Sequence, residues 1–288
     1  MEDKYNNENS KYKIDVIDTD KSKIVQRKNV KDDILPKYPF SWLFSGASGK
    51  GKTNLLLNIL SKKEMYGGFF HYIIVFSPTA GSEDDSYKIL KLPKDNFIKE
   101  FNGEMLQKII NKRKEQIKQY GQEGVSKKSR MLIIMDDVIA DSDFLKSPEA
   151  LKMFCLLRHY QVSLIILLQS YNKLPPALRK NCNAICVFPS IQAEVEVLLD
   201  EITPAGIKKR DFEKVIDYCT SGKHDFLYIN YHADRDSQIR KNLSEIITKE
   251  KIAQIAPPKE GNKKSIIREI EDEDSEKNIM SDKYIQNK

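Results

Sequence analysis

Within Phe40–Thr53, F-S-W-L-F-S-G-A-S-G-K-G-K-T, four residues occupy the positions of the pattern G-x-x-x-x-G-K-[ST]: Gly46, Gly51, Lys52 and Thr53. Such a loop holds phosphate. Its glycines let successive N–H groups curl around the anion, the lysine neutralises β/γ oxygens, and the hydroxyl ligates Mg²⁺. A second chemical element ends the run Met131–Asp137, M-L-I-I-M-D-D. Asp136 at a strand tip would hold Mg²⁺, directly or through water, and Asp137 would orient or deprotonate an attacking water. An acid pair at a strand end can also cap a helix, but a cap uses one acid. A third element is Gln169, which follows the apolar run Val162–Leu168. Its amide would sense a γ-phosphate or position water; the structural alternative is an ordinary loop hydrogen bond.

These residues need particular supports. The apolar, aromatic run Phe40, Trp42, Leu43 and Phe44 predicts a strand before the loop, and Asn54–Leu60 predicts the helix after it. That helix would present its N-terminal dipole and orphan N–H groups to the phosphate. An ordinary glycine-rich turn has no need of this strand–loop–helix context. Gly67-Gly68 then breaks the chain before a strand at His71–Phe76, making a βαβ unit. The run ending in Asp136-Asp137 predicts a central strand with its acids at the ligand edge of an open α/β sheet. Ser147-Pro148-Glu149 opens a helix through Ala150–Tyr160, and Val162–Leu168 carries Gln169 to the same edge. Leu174–Asn181 reads as a short proline-initiated helix with Asn181 near its end. A strand at Ala184–Phe188, helices at Glu194–Glu201 and Arg210–Cys219, and a strand at Phe226–Tyr231 complete the alternation.

The 288-residue chain is long enough for one substantial α/β core with flanking tails. Its 48 basic and 42 acidic side chains leave a net charge of +6, so a polyanion site must be local rather than global. The best local candidate is 101–130, where Lys108, Lys112, Arg113, Lys114 and Lys118 lie among Leu106, Ile109, Ile110, Ile117 and Tyr120. We expect an amphipathic helix with a basic outer face, then a flexible segment from Gly121 to Arg130; a merely solvated face is the alternative for any single lysine. No apolar run reaches membrane-spanning length, and the polar, acidic start is unlike a signal peptide, so a soluble intracellular protein is expected. Cys155, Cys182, Cys186 and Cys219 suit a reducing compartment, as unpaired thiols rather than a metal set. The four histidines, His224 among them, are scattered and read as structural. The domain reading is a flexible arm at 1–37, in which Ile14, Val16 and Ile17 would add an edge strand, a core at 38–256 and a disordered charged tail at 257–288.

Taken in order, these pieces resemble viral genome-packaging ATPases of the FtsK/HerA superfamily, above all the poxvirus-type packaging ATPases of large DNA viruses, virophages and related elements. The residues that carry the resemblance are Gly46, Ala47, Ser48, Gly49, Lys50, Gly51, Lys52 and Thr53, the strand Ile73–Pro78, Leu132–Asp137, Arg158-His159 leading to Gln169, and Leu174-Pro175 with Arg179 and Asn181. Lys50, a second lysine in the loop, and an Asp-Asp pair where many relatives carry Asp-Glu are its departures. The resemblance implies a P-loop NTPase with a RecA-like ASCE core, a central mostly parallel sheet flanked by helices. It also implies ATP and Mg²⁺ as ligands, a homo-oligomeric ring, and translocation of double-stranded DNA into a preformed capsid, with a capsid or portal partner. The setting implied is the assembly site in an infected cell, with virion association a further expectation. A ring allows an arginine finger from a neighbouring subunit, for which Arg179 is preferred over Arg158; an interface ion pair is the alternative role for either. Another P-loop translocase or helicase, and an assembly factor that binds ATP without appreciable turnover, remain the alternative functions.

Overall fold

The apolar runs become the strands of one sheet, with a β-branched and aromatic core buried on both faces. The computed structural model describes residues 34–78, 85–99, 103–137 and 143–257. The expectations for Ile14, Val16, Ile17 and the C-terminal tail lie outside them. Ile34–Lys37, assigned to the arm from sequence, pack on the core: Leu35 is buried and Ile34 O accepts from Tyr228 Oη at 2.6 Å.

The strands are β1 (Ser41–Ser45), β2 (Tyr72–Phe76), β3 (Phe97–Ile98), β4 (Met131–Asp136), β5 (Val162–Leu168), β6 (Ala184–Val187), β7 (Leu227–Asn230), β8 (Ile239–Lys241) and β9 (Glu245–Ile246). Their order is β3-β2-β4-β5-β1-β6-β7-β8-β9. From β3 to β6 all neighbours are parallel, and β7 to β9 close the other side antiparallel. The strand before the phosphate loop therefore lies beside the glutamine strand, and the acid strand comes one position further out. Register aligns Leu43 with Ile166 and Ile166 with Met135, so the three strand tips end together.

Helices cover both faces, as a parallel sheet requires. They are α1 (Lys52–Ser61), α2 (Gly103–Lys128), α3 (Pro148–Leu157), α4 (Pro176–Arg179), α5 (Gln192–Ile202), α6 (Lys209–Cys219) and α7 (Lys249–Ile255). Period-two alternation divides the core: Leu43, Ile133, Ile166 and Ile185 meet α2, α3, α5 and α6 on one face. Trp42, Phe44, Ile134 and Ile165 meet Leu56 and Ile59 of α1 on the other. Ser147 caps α3, its Oγ accepting from Ala150 N at 3.1 Å, with Pro148 at the first turn. The helix stops at Leu157 rather than Tyr160, because Arg158–Tyr160 tighten into a 3₁₀ turn and Gln161 turns left-handed at φ 56°.

Four expectations about α2 are corrected. Gly121 (φ 69°) kinks the helix, but the chain stays helical to Lys128 because Val125 and Ser126 are buried, with Ser126 Oγ donating to Gln161 Oε1 at 2.7 Å. Arg113 does not join a basic outer face; it is fully buried. Its guanidinium donates to Tyr160 O (3.2 Å), Gln161 O (2.9 Å), Ser129 O (2.8 Å), Ser129 Oγ (2.9 Å) and Gln116 Oε1 (2.9 Å). A buried cation is tolerable when its donors are satisfied. Here they brace the turn that carries Arg158. Lys108, Lys112, Lys114 and Lys118 are exposed, but Glu104 and Glu115 are exposed beside them, so the outer face is mixed. Tyr120, expected on the apolar side, is 60% exposed.

Candidate nucleotide site

The loop between β1 and α1 is held by its close approach to β6. A Cβ on Gly46 would lie 2.5 Å from Phe188 Cβ, so only glycine fits there. Gly51, at φ 106°, occupies a backbone region costly for other residues and starts α1, its carbonyl accepting from Leu55 N at 2.9 Å. The N–H groups of the first turn are thereby presented at the loop. Lys52 Nζ donates to Gly46 O at 2.5 Å and Ala47 O at 3.0 Å. Partial burial lowers the Lys52 pKa, and the charges of Asp136 and Asp137 oppose that shift. Lys52 and both acids line the same cavity. Ala47, Ser48 and Gly49 form the exposed crown of the loop, and Lys50 and Thr53 are half-buried.

The acids stand at the tip of β4. Asp136 accepts a 2.6 Å hydrogen bond from Tyr87 Oη. Asp137 leaves the strand with φ 58°, its N–H donating to Leu167 O at 3.3 Å. That turn points its carboxylate toward the next strand tip, where Gln169 Nε2 donates to Asp137 Oδ2. A cavity of about 580 Å³ is lined by Gly51, Lys52, Thr53, Asp136, Asp137 and Gln169. The structure thus brings together the loop, the acid pair and the glutamine. A hydroxyl and a carboxylate are hard oxygen donors, and Mg²⁺ takes few protein ligands when phosphate oxygens supply others, so Thr53 and Asp136 fit that ion. Among the described residues no cluster of three or more His, Cys, Asp or Glu offers a self-sufficient metal site. The four cysteines are free thiols, three of them buried.

Sequence reasoning missed three residues here. Ser77 and His224 also line the cavity, and Tyr87 holds Asp136. His224 arrives from the connection between α6 and β7, with Nδ1 3.2 Å from Lys50 O. No local pattern marks it; only the pairing of β7 with β6 carries it to the loop.

Arg158 and Arg179 lie elsewhere. Arg158 precedes β5, Asn183 precedes β6, and Tyr231 follows antiparallel β7, so all sit at the sheet end opposite the phosphate loop. Together with Arg179, Lys180 and His232 they line a second cavity, of about 370 Å³. Neither arginine reaches the phosphate site of its own chain. Their states differ. Arg179 is buried and bidentate on Glu201, with Nε to Oε2 at 2.9 Å and Nη2 to Oε1 at 2.5 Å. It also donates to Leu174 O at 2.5 Å and stacks 4.6 Å from the Tyr171 ring. Arg158 is half-buried and has no side-chain hydrogen bond or ion pair among the described residues. The Arg179 guanidinium is thus engaged inside its own chain, whereas that of Arg158 is not. Arg179→Ala strands a partly buried carboxylate and should cost about 3–5 kcal/mol of stability, read by chemical denaturation. An unchanged denaturation midpoint would contradict the bracing role.

No helix among the described residues is long and apolar enough to cross a membrane. The chain is 28% identical over 190 residues to the DNA packaging protein OPG160 of vaccinia virus (strain Copenhagen), a match covering 64% of this chain and 66% of that protein. It thus spans slightly less than two thirds of that relative's length. It is 26% identical over 144 residues to uncharacterized protein 075L of invertebrate iridescent virus 6, covering 50% of this chain and 52% of that one. Among solved structures, B204, the DNA-packaging ATPase of Sulfolobus turreted icosahedral virus, aligns with a TM-score of 0.49 at 19% identity, over 71% of this chain and 97% of that one. The sequence model of the Poxvirus A32 protein family matches residues 27–251, and the chain belongs to that family.

Proposed function

We propose that this protein is an ATP-hydrolysing motor that drives double-stranded viral DNA into a preformed capsid. The observation that carries the reading is the convergence of Lys52 and Thr53, Asp136 and Asp137, and Gln169 on one cavity at the carboxyl edge of the parallel sheet, in a family with a DNA packaging protein among its relatives. Site and family support each other: the paired acids suit attack by water, and packaging needs sustained hydrolysis.

The loop N–H groups and Lys52 bind and neutralise the phosphates of ATP, and Thr53 and Asp136 would hold Mg²⁺, which when bound would supply further charge neutralisation to the phosphates. Tyr87 keeps the Asp136 carboxylate aimed at the cavity. Asp137 accepts a proton from the attacking water, and Gln169, hydrogen-bonded to it, fixes its direction. An arginine beside the γ-phosphate would stabilise the transition state further, and neither Arg158 nor Arg179 lines that cavity in its own chain. We assign that role to Arg158 of a neighbouring copy in a homo-oligomeric ring. Loss of γ-phosphate contacts converts hydrolysis into movement of DNA-holding segments. The protein acts in the infected cell, where capsids are filled.

A motor that moves any sequence grips phosphates rather than base edges. The experiment is ATP hydrolysis by the full chain with and without long duplex DNA across a salt series. Stimulation by DNA of any sequence that fades with salt is the expected result. Equal hydrolysis with and without duplex in the presence of procapsids would exclude a DNA-driven motor.

A further inference from the structure

Two distant residues of α2 bond the same partner: Arg113 Nη2 donates to Gln161 O at 2.9 Å, and Ser126 Oγ donates to Gln161 Oε1 at 2.7 Å. In a straight helix residues 113 and 126 would stand about 20 Å apart. The chain between them therefore runs out and doubles back, at Gly121, whose φ of 69° and ψ of 167° leave the helix. Leu106 and Ile110 bury the first part of α2 on the sheet, whereas Lys114, Glu115, Lys118, Gln119 and Tyr120 are exposed on the part that runs out. Both roots of this projection are fixed. Arg113 donates to Tyr160 O at 3.2 Å and Ser129 O at 2.8 Å where it leaves, and Arg130 donates to Lys127 O at 3.0 Å where it returns. Ser129 and Gln161 precede β4 and β5, so the projection stands at the sheet end opposite the phosphate loop.

The charge of the chain gathers here. Residues 108–130 hold eight basic side chains and two acidic ones, a net +6 that equals the net charge of all 288 residues, so the remainder of the chain is neutral overall. One of the two acids, Glu123, is paired with Lys127 at 2.6 Å. Lys108, Lys112, Lys118 and Lys128 are exposed and have no ion pair among the described residues. At the tip Tyr120 is 60% exposed, leaving a large ring and its hydroxyl in water. Like charges held together on a braced arm repel one another, a cost that folding alone does not require. The geometry points to the doubled-back end of α2 as the surface that holds duplex DNA, with Lys112, Lys118 and Lys128 on its phosphates and Tyr120 against the backbone. The inference rests on the motor reading for its partner and adds where on the chain that partner lies. Lysine and tyrosine contacts to phosphate and sugar carry no base preference, as a motor that moves any sequence needs.

The test is binding of a labelled duplex to the full chain, followed by fluorescence anisotropy across a salt series. In the triple variant Lys112→Gln, Lys118→Gln, Lys128→Gln the slope of log affinity against log salt should fall by about one per lysine, equally for duplexes of unrelated sequence. Arginine at the same three positions should keep both slope and affinity. Tyr120→Ala should weaken binding with the slope unchanged, and hydrolysis without DNA should be unaltered in every variant. An unchanged slope in the triple glutamine variant, or polyglutamate bound as tightly as duplex, overturns the assignment. Duplex bound through these lysines with no effect on hydrolysis, procapsids present, instead refutes the motor reading and leaves the surface standing.

Discussion

Asp137→Asn is expected to lower ATP turnover by about 10²–10⁴-fold while nucleotide affinity stays near that of the unmodified protein. The substitution is nearly isosteric, and asparagine keeps an oxygen that can accept from Gln169 Nε2, so the contact at the strand tips survives. What it removes is basicity. If Asp137 takes the proton of the attacking water, no remaining group at that position can. Lys52→Ala should behave differently, because Lys52 contributes charge to the phosphates before any bond breaks. Its ammonium is already partly desolvated, and the charges of Asp136 and Asp137 favour its protonated form. Its loss should weaken nucleotide binding and turnover together, and it leaves two carboxylates without a facing cation. Equilibrium binding of a non-hydrolysable analogue beside single-turnover hydrolysis separates these outcomes. Unmodified turnover in Asp137→Asn would remove Asp137 from the chemistry and leave Gln169 holding a merely structural partner.

Where period and composition carry the signal, the fold is legible in the order of the amino acids. Val162–Leu168 is a strand over the whole of its apolar run, and the strand ending at Asp136 is equally plain. Parallel strands buried on both faces leave continuous apolar runs, which are hard to mistake beside a phosphate-loop pattern. Elements of two or three residues are not legible: β3, β8 and β9 are too short to show any period, and their pairing comes from the sheet they join. Arg113 is misplaced by its sequence context for a related reason. A basic residue in a helix reads as solvent-facing unless its partners are known, and those partners are carbonyls at Ser129, Tyr160 and Gln161, which no pattern links to it.

The candidate site divides in the same way. Asp136, Asp137 and Gln169 end or follow apolar runs, and Lys52 and Thr53 close a loop pattern between a strand and a helix, so adjacent strand tips gather them in one cavity. Tyr87 and His224 come from connections and reach the site only through tertiary packing. Arg179 and Arg158 are separable only by burial and partners, since both are single arginines flanking the glutamine strand.

Arg158→Ala should therefore reduce hydrolysis by about 10³–10⁵-fold, the largest effect expected in the molecule outside the loop, with little change in nucleotide affinity or stability. Its guanidinium has no hydrogen-bonding partner among the described residues to lose. It is nevertheless well positioned, because the 3₁₀ turn that carries it ends at Gln161, and Arg113 grips the carbonyls of Tyr160 and Gln161 from beneath. A rigid turn whose cation stands at the sheet end remote from its own phosphate site is placed to serve, under the proposed ring, a second copy rather than its own. Mixing two inactive variants tests this directly. In rings assembled from Arg158→Ala and Lys52→Ala chains, some interfaces join an intact loop on one copy to an intact Arg158 on the next. Those interfaces should recover a measurable part of the activity, while each variant alone stays inactive. If Arg158 acted within its own chain, every chain in the mixture would still lack one essential group, and co-assembled rings would hydrolyse no faster than either variant alone.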